Sequence, residues 1–319
     1  MNTKNKKILI TGGCGYVGTR LINYFHDKYD QIVNIDTQWF GNFLSNSKKI
    51  QNIKADIRNI DDYEELFDDV DTVIHLANIA NDPSVDLEPV LSWEVNVLSS
   101  YKLANLCKRK KIKKLIYASS GSVYGIKEEK IVNEDLSLEP ISTYNKTKMV
   151  AERVFMSFKE DMIINCIRPA TVCGLSPRMR FDVAVNMLTY QSILKNEITV
   201  FGGQQIRPNI HIDDLIKVYD FFCENDFSSG FYNAGFENIS ILEIANEISK
   251  QNNSKIILTE SNDPRSYRIS SQKILDLGFK PHKKISDAIN EISEALTQNP
   301  NLVNPACFTV DWMKEKKIK

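Results

Sequence analysis

The sequence predicts an α/β fold: a doubly wound parallel sheet followed by a smaller C-terminal domain. Three observations carry that expectation. Short apolar runs alternate with helix-length patterns through the first half, a glycine-rich turn joins the first run to the first helix, and the second run ends on an aspartate. Strands alternating with helices imply right-handed crossovers, which place helices on both faces of one sheet.

Taken in order, "KILIT" is a strand and Val17 to Tyr29 reads as a helix. "QIVNID" and "IQNIKAD" are the second and third strands, with a helix around Asp61 to Phe67. "DTVIHLA" is the fourth, a long helix fits Trp93 to Lys110, and "KKLIYASS" is the fifth. A helix fits Ser142 to Lys159 and "INCIRPA" is the sixth strand. After Ala170 the rhythm breaks into polar segments that bear arginine and proline, "GLSPRMRF", "FGGQQIRPNIHI" and "NDPRSYRIS", with three or four helices between connections. One apolar run there, "GFYNAG", fits a return to the main sheet. Two domains follow, 1–175 with 210–235 returning to it, and 176–319, with the tail after Pro300 packed at the surface.

Composition narrows the function classes. The 319 residues are 42% hydrophobic and 25% charged with a net charge of −1, which speaks against a polyanion-binding surface. The basic run Lys108 to Lys114 reads as the solvated end of a helix, where lysines suit the dipole. No apolar run is long enough for a bilayer, and the apolar part of "MNTKNKKILITGG" is only Ile8 to Ile10, a strand rather than a signal peptide. Six cysteines without a CxxC pair or a histidine cluster predict a reduced, cytoplasmic protein without structural zinc.

The chemistry-bearing residues start with Gly12, Gly15 and Gly18, a GxxGxxG pattern opening the first helix. Glycine there allows a tight turn and lets backbone approach a pyrophosphate. Asp36 ends the second strand, where a carboxylate hydrogen-bonds an adenosine ribose and repels a 2′-phosphate, so NAD is favoured; the plainer alternative is a turn aspartate. Asp56, ending the third strand, reaches the adenine or caps a turn. In "ISTYNKTKMVAER", Tyr144 and Lys148 lie four residues apart on one helix face. A free phenol ionises near pH ~10 and a neighbouring cation lowers that value. The pair is therefore a general base, or else an ordinary tyrosine beside a solvated lysine.

Together "TGGCGYVG", the strand-ending Asp36, "HLAN", "ASSGSVYG" and "YNKTK" resemble the extended short-chain dehydrogenase/reductases, the nucleotide-sugar epimerase and dehydratase group. The resemblance implies a Rossmann-type NAD domain, a nucleotide-sugar substrate domain, and Ser120, Tyr144 and Lys148 as the catalytic set. It assigns to NAD Gly12, Gly15, Tyr16, Val17, Gly18, Asp36, Asp56, Ile57, Leu76, Ala77, Asn96, Ser119 and Pro169, together with Tyr144 and Lys148. Asn96 would orient a water behind the Tyr–Lys pair. Lys148 and the oxidised cofactor would both favour the phenolate. To the nucleotide-diphosphate sugar it assigns Ser120, Ser122, Arg178, Arg180, Asn186, Phe201, Arg207 and Arg265, arginines being suited to pyrophosphate oxygens. Its relatives dimerise through the helices corresponding to Trp93–Lys110 and Ser142–Lys159. His75 reads as a core residue, while His211 either touches substrate or holds Arg207.

The reaction is narrowed by departures from the family pattern. Sugar 4,6-dehydratases carry acids directly after the catalytic Ser/Thr; here stand Gly121 and Ser122, poor proton donors. The lysine that follows "HxA" in UDP-galactose epimerases is replaced near Ala80. "RPATVCG" and "SPRMRFDVAVNMLTY" resemble a bacterial GDP-heptose 4-dehydrogenase subgroup. The expected function is NAD-dependent redox chemistry at C4 of a nucleotide-sugar, most simply 4-epimerisation. The alternatives are net 4-dehydrogenation or 4-keto reduction, and a catalytically silent dinucleotide-binding regulator.

Overall fold

The computed structural model describes residues 6–260 and 266–318. Its strands are β1 (Lys7–Thr11), β2 (Gln31–Asp36), β3 (Ile50–Lys54), β4 (Thr72–His75), β5 (Lys114–Ala118), β6 (Ile163–Pro169), β7 (Thr171–Cys173), β8 (Glu197–Phe201), β9 (Ile206–His211), β10 (Gly230–Ala234), β11 (Glu237–Ser240) and β12 (Lys255–Thr259). Seven form one sheet in the order β10-β6-β5-β4-β1-β2-β3, and every neighbouring pair is parallel. Strand order reverses between β1 and β4, which opens a crevice at the carboxyl ends of those strands.

The helices are α1 (Tyr16–Phe25), α2 (Asp82–Leu87), α3 (Pro89–Trp93), α4 (Ser99–Arg109), α5 (Thr143–Met156), α6 (Ala184–Lys195), α7 (Ile212–Glu224), α8 (Ile241–Asn252), α9 (Gln272–Asp276), α10 (Ile285–Gln298) and α11 (Thr309–Glu315). On one face of the sheet Leu9, Val33, Val73 and Leu115 pack under Leu103, Leu106 and Phe155. On the other Ile8, Ile10 and Ile116 pack under Leu21, Phe25 and Phe222. Burial on both faces explains why these strands are nearly continuous apolar runs. Among the described residues no helix is long and apolar enough to cross a membrane, and no cluster of metal-ligating side chains occurs.

Several elements differ from the sequence expectation. The helix after β4 starts at Pro89, and a π turn, Glu94–Leu98, interrupts it before α4. The stretch after Asp56 is a kinked 3-10 helix, Ile57–Phe67, rather than a helix from Asp61. The basic run is only partly solvated: Lys114 opens β5 and is buried, donating to the carbonyls of Phe222, Cys223 and Asn225 just where α7 ends. Those carbonyls lack helical partners, so an ammonium satisfies them. The polar segments after Ala170 contain strands: β9 pairs with β11 and β7, and β8 with β12. Pro208 disguised β9, because proline ordinarily argues against a strand with neighbours on both sides.

The turn between β1 and α1 leaves no room for side chains. A Cβ on Gly18 would lie 2.3 Å from the Gly12 carbonyl oxygen and 2.6 Å from Gly13 Cα, both rigid backbone. Gly18→Ala is expected to cost about 1–3 kcal/mol by forcing α1 off the turn, read as a lower urea midpoint. An unchanged midpoint would show that the turn yields.

Candidate active site

A cavity of about 520 Å³ occupies the crevice at the strand ends. Its floor is the turn after β1. Gly12 adopts φ +79°, and a Cβ there would lie 2.5 Å from Ala77 N, so only glycine fits. Gly15 caps α1 without a side chain, leaving the helix N-terminus open to the cavity. Asp36, at the end of β2, accepts from Cys14 N at 2.9 Å and Gln38 N at 2.6 Å. Burial raises its pKa above the usual carboxylate value, while those amides and the Arg178 charge pull it down. An open helix end and a carboxylate anchored beside it fit the pyrophosphate and adenosine ribose of NAD.

The other end of the cavity holds Ser120, Tyr144 and Lys148. Ser142 caps α5 by accepting from Asn145 N at 3.1 Å, which fixes where the helix begins and sets Tyr144 in its first turn. Ser120 Oγ lies 2.8 Å from Ser122 Oγ, which in turn donates to Asn145 Oδ1 at 2.5 Å. Burial pushes the Tyr144 phenol up to about 12; the Ser120 hydroxyl opposes this, Asp82 adds to it, and Arg180 opposes it. Lys148 Nζ donates to Ala118 O at 2.7 Å and stands 5.9 Å from the Tyr144 ring centre. Burial pushes the lysine down to about 7, against the pull of Glu152. In the ligand-free protein Lys148 is not among the groups that lower the phenol. The ammonium is turned to a backbone carbonyl, and its own charge is weakened by the same burial.

Of the other residues expected at the cofactor, Gly12, Gly15, Tyr16, Val17, Gly18, Asp36, Asp56, Ile57, Leu76, Ala77, Ser119 and Pro169 line the cavity. Asp56 also caps the 3-10 helix through Arg58 N at 2.9 Å. Asn96 does not line it: its amide is engaged by Ile79 N and O and by Thr147 Oγ1, so it ties the loop after β4 to α5. Of the expected substrate residues, Ser120, Arg178 and Arg180 line the cavity, whereas Ser122, Asn186, Phe201 and Arg207 do not. Asn186 is fully buried and bonds Gly174 N, Arg180 O and Tyr16 OH, a knot under the loop between β7 and α6. Phe201 is 54% exposed, and Arg207 Nη1 donates to Ile206 O. Arg265 lies outside the described residues. His75 is held by Thr11 at 2.7 Å and pushed down to about 3 by burial and the Lys148 charge, so it is a neutral core residue. His211 caps α7 and meets Glu291 at 3.3 Å.

The sequence reading missed two walls. Trp39 and Phe40 follow Asp36 and close the adenosine end. The C-terminal helix α11 contributes Thr309, Val310 and Met313, with Trp312 Nε1 bonded to Trp39 O at 2.7 Å and Thr309 N to Asp182 Oδ2 at 3.1 Å. The tail after Pro300 is thus part of the site. The aromatic pair after Asp36 was a usable signal; nothing in the tail's composition marked it.

The NAD dependent epimerase/dehydratase family model matches residues 8–235. The chain belongs to that family. A UDP-glucose 4-epimerase of Halalkalibacterium halodurans is 26% identical over 303 residues, spanning 86% of this chain and 90% of the relative. A dTDP-D-glucose 4,6-dehydratase of Dictyostelium discoideum is 28% identical over 281 residues, 78% of this chain and 63% of the relative. Among solved structures, a Bacillus cereus UDP-glucuronic acid 4-epimerase in complex with UDP-glucuronic acid and NAD superposes with a TM-score of 0.79 at 27% identity, covering 92% of this chain and 99% of that one. Members of the family use NAD, and the cavity's donor set fits it.

The buried lysine gives a pH signature. Its pKa is about 7 in the fold against 10.5 in an open chain, so between those values the unfolded chain holds more proton and stability rises with pH. For Lys148→Met, the melting midpoint minus that of the native protein is expected to grow as pH falls from 10.5 to about 7, then level off. A difference independent of pH would place the titration elsewhere.

Proposed function

We propose that this family member interconverts C4 epimers of a nucleoside-diphosphate sugar through a transient 4-keto sugar. The observation that carries the reading is the convergence of Ser120, Tyr144 and Lys148 at one end of a cavity whose other end presents Asp36 and the α1 N-terminus. NAD, held by Asp36 and the α1 N-terminus, would supply hydride-accepting and hydride-donating chemistry at C4. Tyr144 takes the proton of the 4-hydroxyl and later gives it back. Ser120 donates to the same oxygen as it changes between alkoxide and ketone. Lys148, held by Ala118 O, sits behind the phenol as its adjustable charge.

Two features favour this over neighbouring reactions. Elimination of water needs an acid beside C5 and C6, and the residues after Ser120 provide none. A Cβ on Gly121 would strike Ile269 Cδ1 at 2.4 Å, and Ser122 is engaged with Asn145. In addition, α11 contributes Thr309, Val310 and Met313 to the cavity lining, which favours retention of the dinucleotide rather than its exchange after net oxidation.

With UDP-glucose and other nucleoside-diphosphate hexoses, NMR is expected to show epimer interconversion without lasting reduced-nicotinamide absorbance. Stoichiometric reduced nicotinamide would mean net dehydrogenation, and bound NAD with no turnover of any sugar would mean a regulator. Tyr144→Phe is expected to keep NAD binding and lose about 10²–10⁴-fold in turnover; near-native turnover would remove the phenol from its role.

We also propose a homodimer through the helices around α4 and α5. Val90, Trp93, Leu98 and Tyr101 form an exposed apolar stripe at helical spacing, Val90 being 72% and Leu98 60% exposed. Leu98→Glu with Tyr101→Glu is expected to convert a dimeric sedimentation coefficient to a monomeric one. A native protein that sediments as a monomer would overturn the proposal.

A further inference from the structure

Among the described residues, three cations line the cavity: Lys148, Arg178 and Arg180. Two have close acceptors, a backbone carbonyl for the lysine and a carboxylate for one arginine. Lys148 donates to Ala118 O, and Arg180 forms a fork with both oxygens of Asp182, at 2.8 and 3.1 Å. Arg178 differs. It is 3% exposed, its Nη2 donates only to the neutral Thr309 Oγ1 at 3.2 Å, and its Nε has no partner among the described residues. A buried guanidinium without an anion is costly, and a cavity alongside is where the anion would enter.

Position says which anion. The guanidinium carbon of Arg178 lies 4.2 Å from the centre of the Phe40 ring, on the loop just after Asp36, a cation–π contact that places the charge at that end of the cavity. The loop that carries Arg178 is tied to the first residue of α1. Ser176 Oγ donates to Tyr16 O at 2.7 Å, and Tyr16 OH donates to Gly174 O at 2.7 Å. Arg178 is therefore held over the open N-terminus of α1, on the Asp36 side, while Arg180 is the arginine whose charge reaches Tyr144.

We propose that Arg178 binds the pyrophosphate of the dinucleotide, not that of the sugar nucleotide, and that Thr309 of the C-terminal helix aims it there. The diphosphate thus sits between backbone amides below and a guanidinium fork above, the fork supplied from beyond the main sheet. The tail acts as a positioning element for cofactor binding, since Thr309 is joined to the loop twice, through Arg178 and through Asp182.

Calorimetry on the full-length protein stripped of NAD tests this with ADP-ribose, adenosine and UDP as probes. Arg178→Gln is expected to weaken ADP-ribose by about 10- to 100-fold, to leave adenosine and UDP within about twofold, and to lower the NAD content of freshly purified protein. Arg178→Lys, which keeps the charge and loses the fork, falls between. A thermal melt of the ligand-free Arg178→Gln protein checks that it is folded at the temperature of the binding measurement. Thr309→Val weakens ADP-ribose more mildly, and Thr309→Ser restores it. Native ADP-ribose affinity in Arg178→Gln, or a loss confined to UDP, overturns the assignment. A Thr309→Val protein that binds ADP-ribose like native overturns the aiming role.

Discussion

The active end of this molecule depends on one buried ion pair. Glu152 and Arg168 are 0% and 2% exposed at their side chains and meet through a two-bond fork, Nε and Nη2 each at 2.8 Å. Each remaining polar position is filled: Ser119 Oγ donates to Glu152 at 2.6 Å, Arg168 Nη1 donates to Tyr124 OH, and that hydroxyl donates to Asn233. Taking two charges out of water costs several kcal/mol each, so such a pair persists only when fully satisfied. What it fixes is specificity of position. Helix α5 is clamped to β6, to the strand-end loop that carries Ser120, and through Tyr124 to β10. Glu152 also lies one turn beyond Lys148, and its charge is what offsets burial at the lysine. The placement of α5 and the electrostatics at Lys148 thus share these two residues.

Much of this was legible in the sequence and some was not, for reasons that can be stated residue by residue. The six strands of the first half announce themselves because both faces of a parallel sheet are apolar, and Gly12, Gly18 and Asp36 announce the dinucleotide end because few other residues satisfy those backbone demands. Periodicity reports that a face is buried but not what covers it. Nothing local in Glu152 or Arg168 marks them as partners sixteen residues apart, and Asn186 looks like a ligand residue until its amide is found knotted to Gly174 and Arg180. The same limit hid α11. A short helix after a proline-rich connection carries no pattern that distinguishes a wall from an appendage. The strands beyond β6 are short and half-exposed, so their alternation is diluted by Arg207 and Pro208.

The cavity's charges share a pattern. Burial drives Tyr144 up, Lys148 down and His75 down, each toward its neutral form. Desolvation is the leading cause at each, because it penalises whichever form is charged. In the ligand-free site burial thus opposes the charged form of both the phenol and the lysine. In that state the phenol has little tendency to give up a proton, so the base is latent until a ligand changes the local field. The same desolvation explains why Arg178 stands apart. Arginine keeps its charge under desolvation that neutralises lysine and histidine, and even here burial and the nearby Arg180 lower it only to about 10. Arg180 is already forked to Asp182, so Arg178, without a hydrogen-bonded carboxylate among the described residues, is the place of attraction for an incoming diphosphate. That place lies at the opposite end from the phenol, so binding and proton transfer are served by different residues.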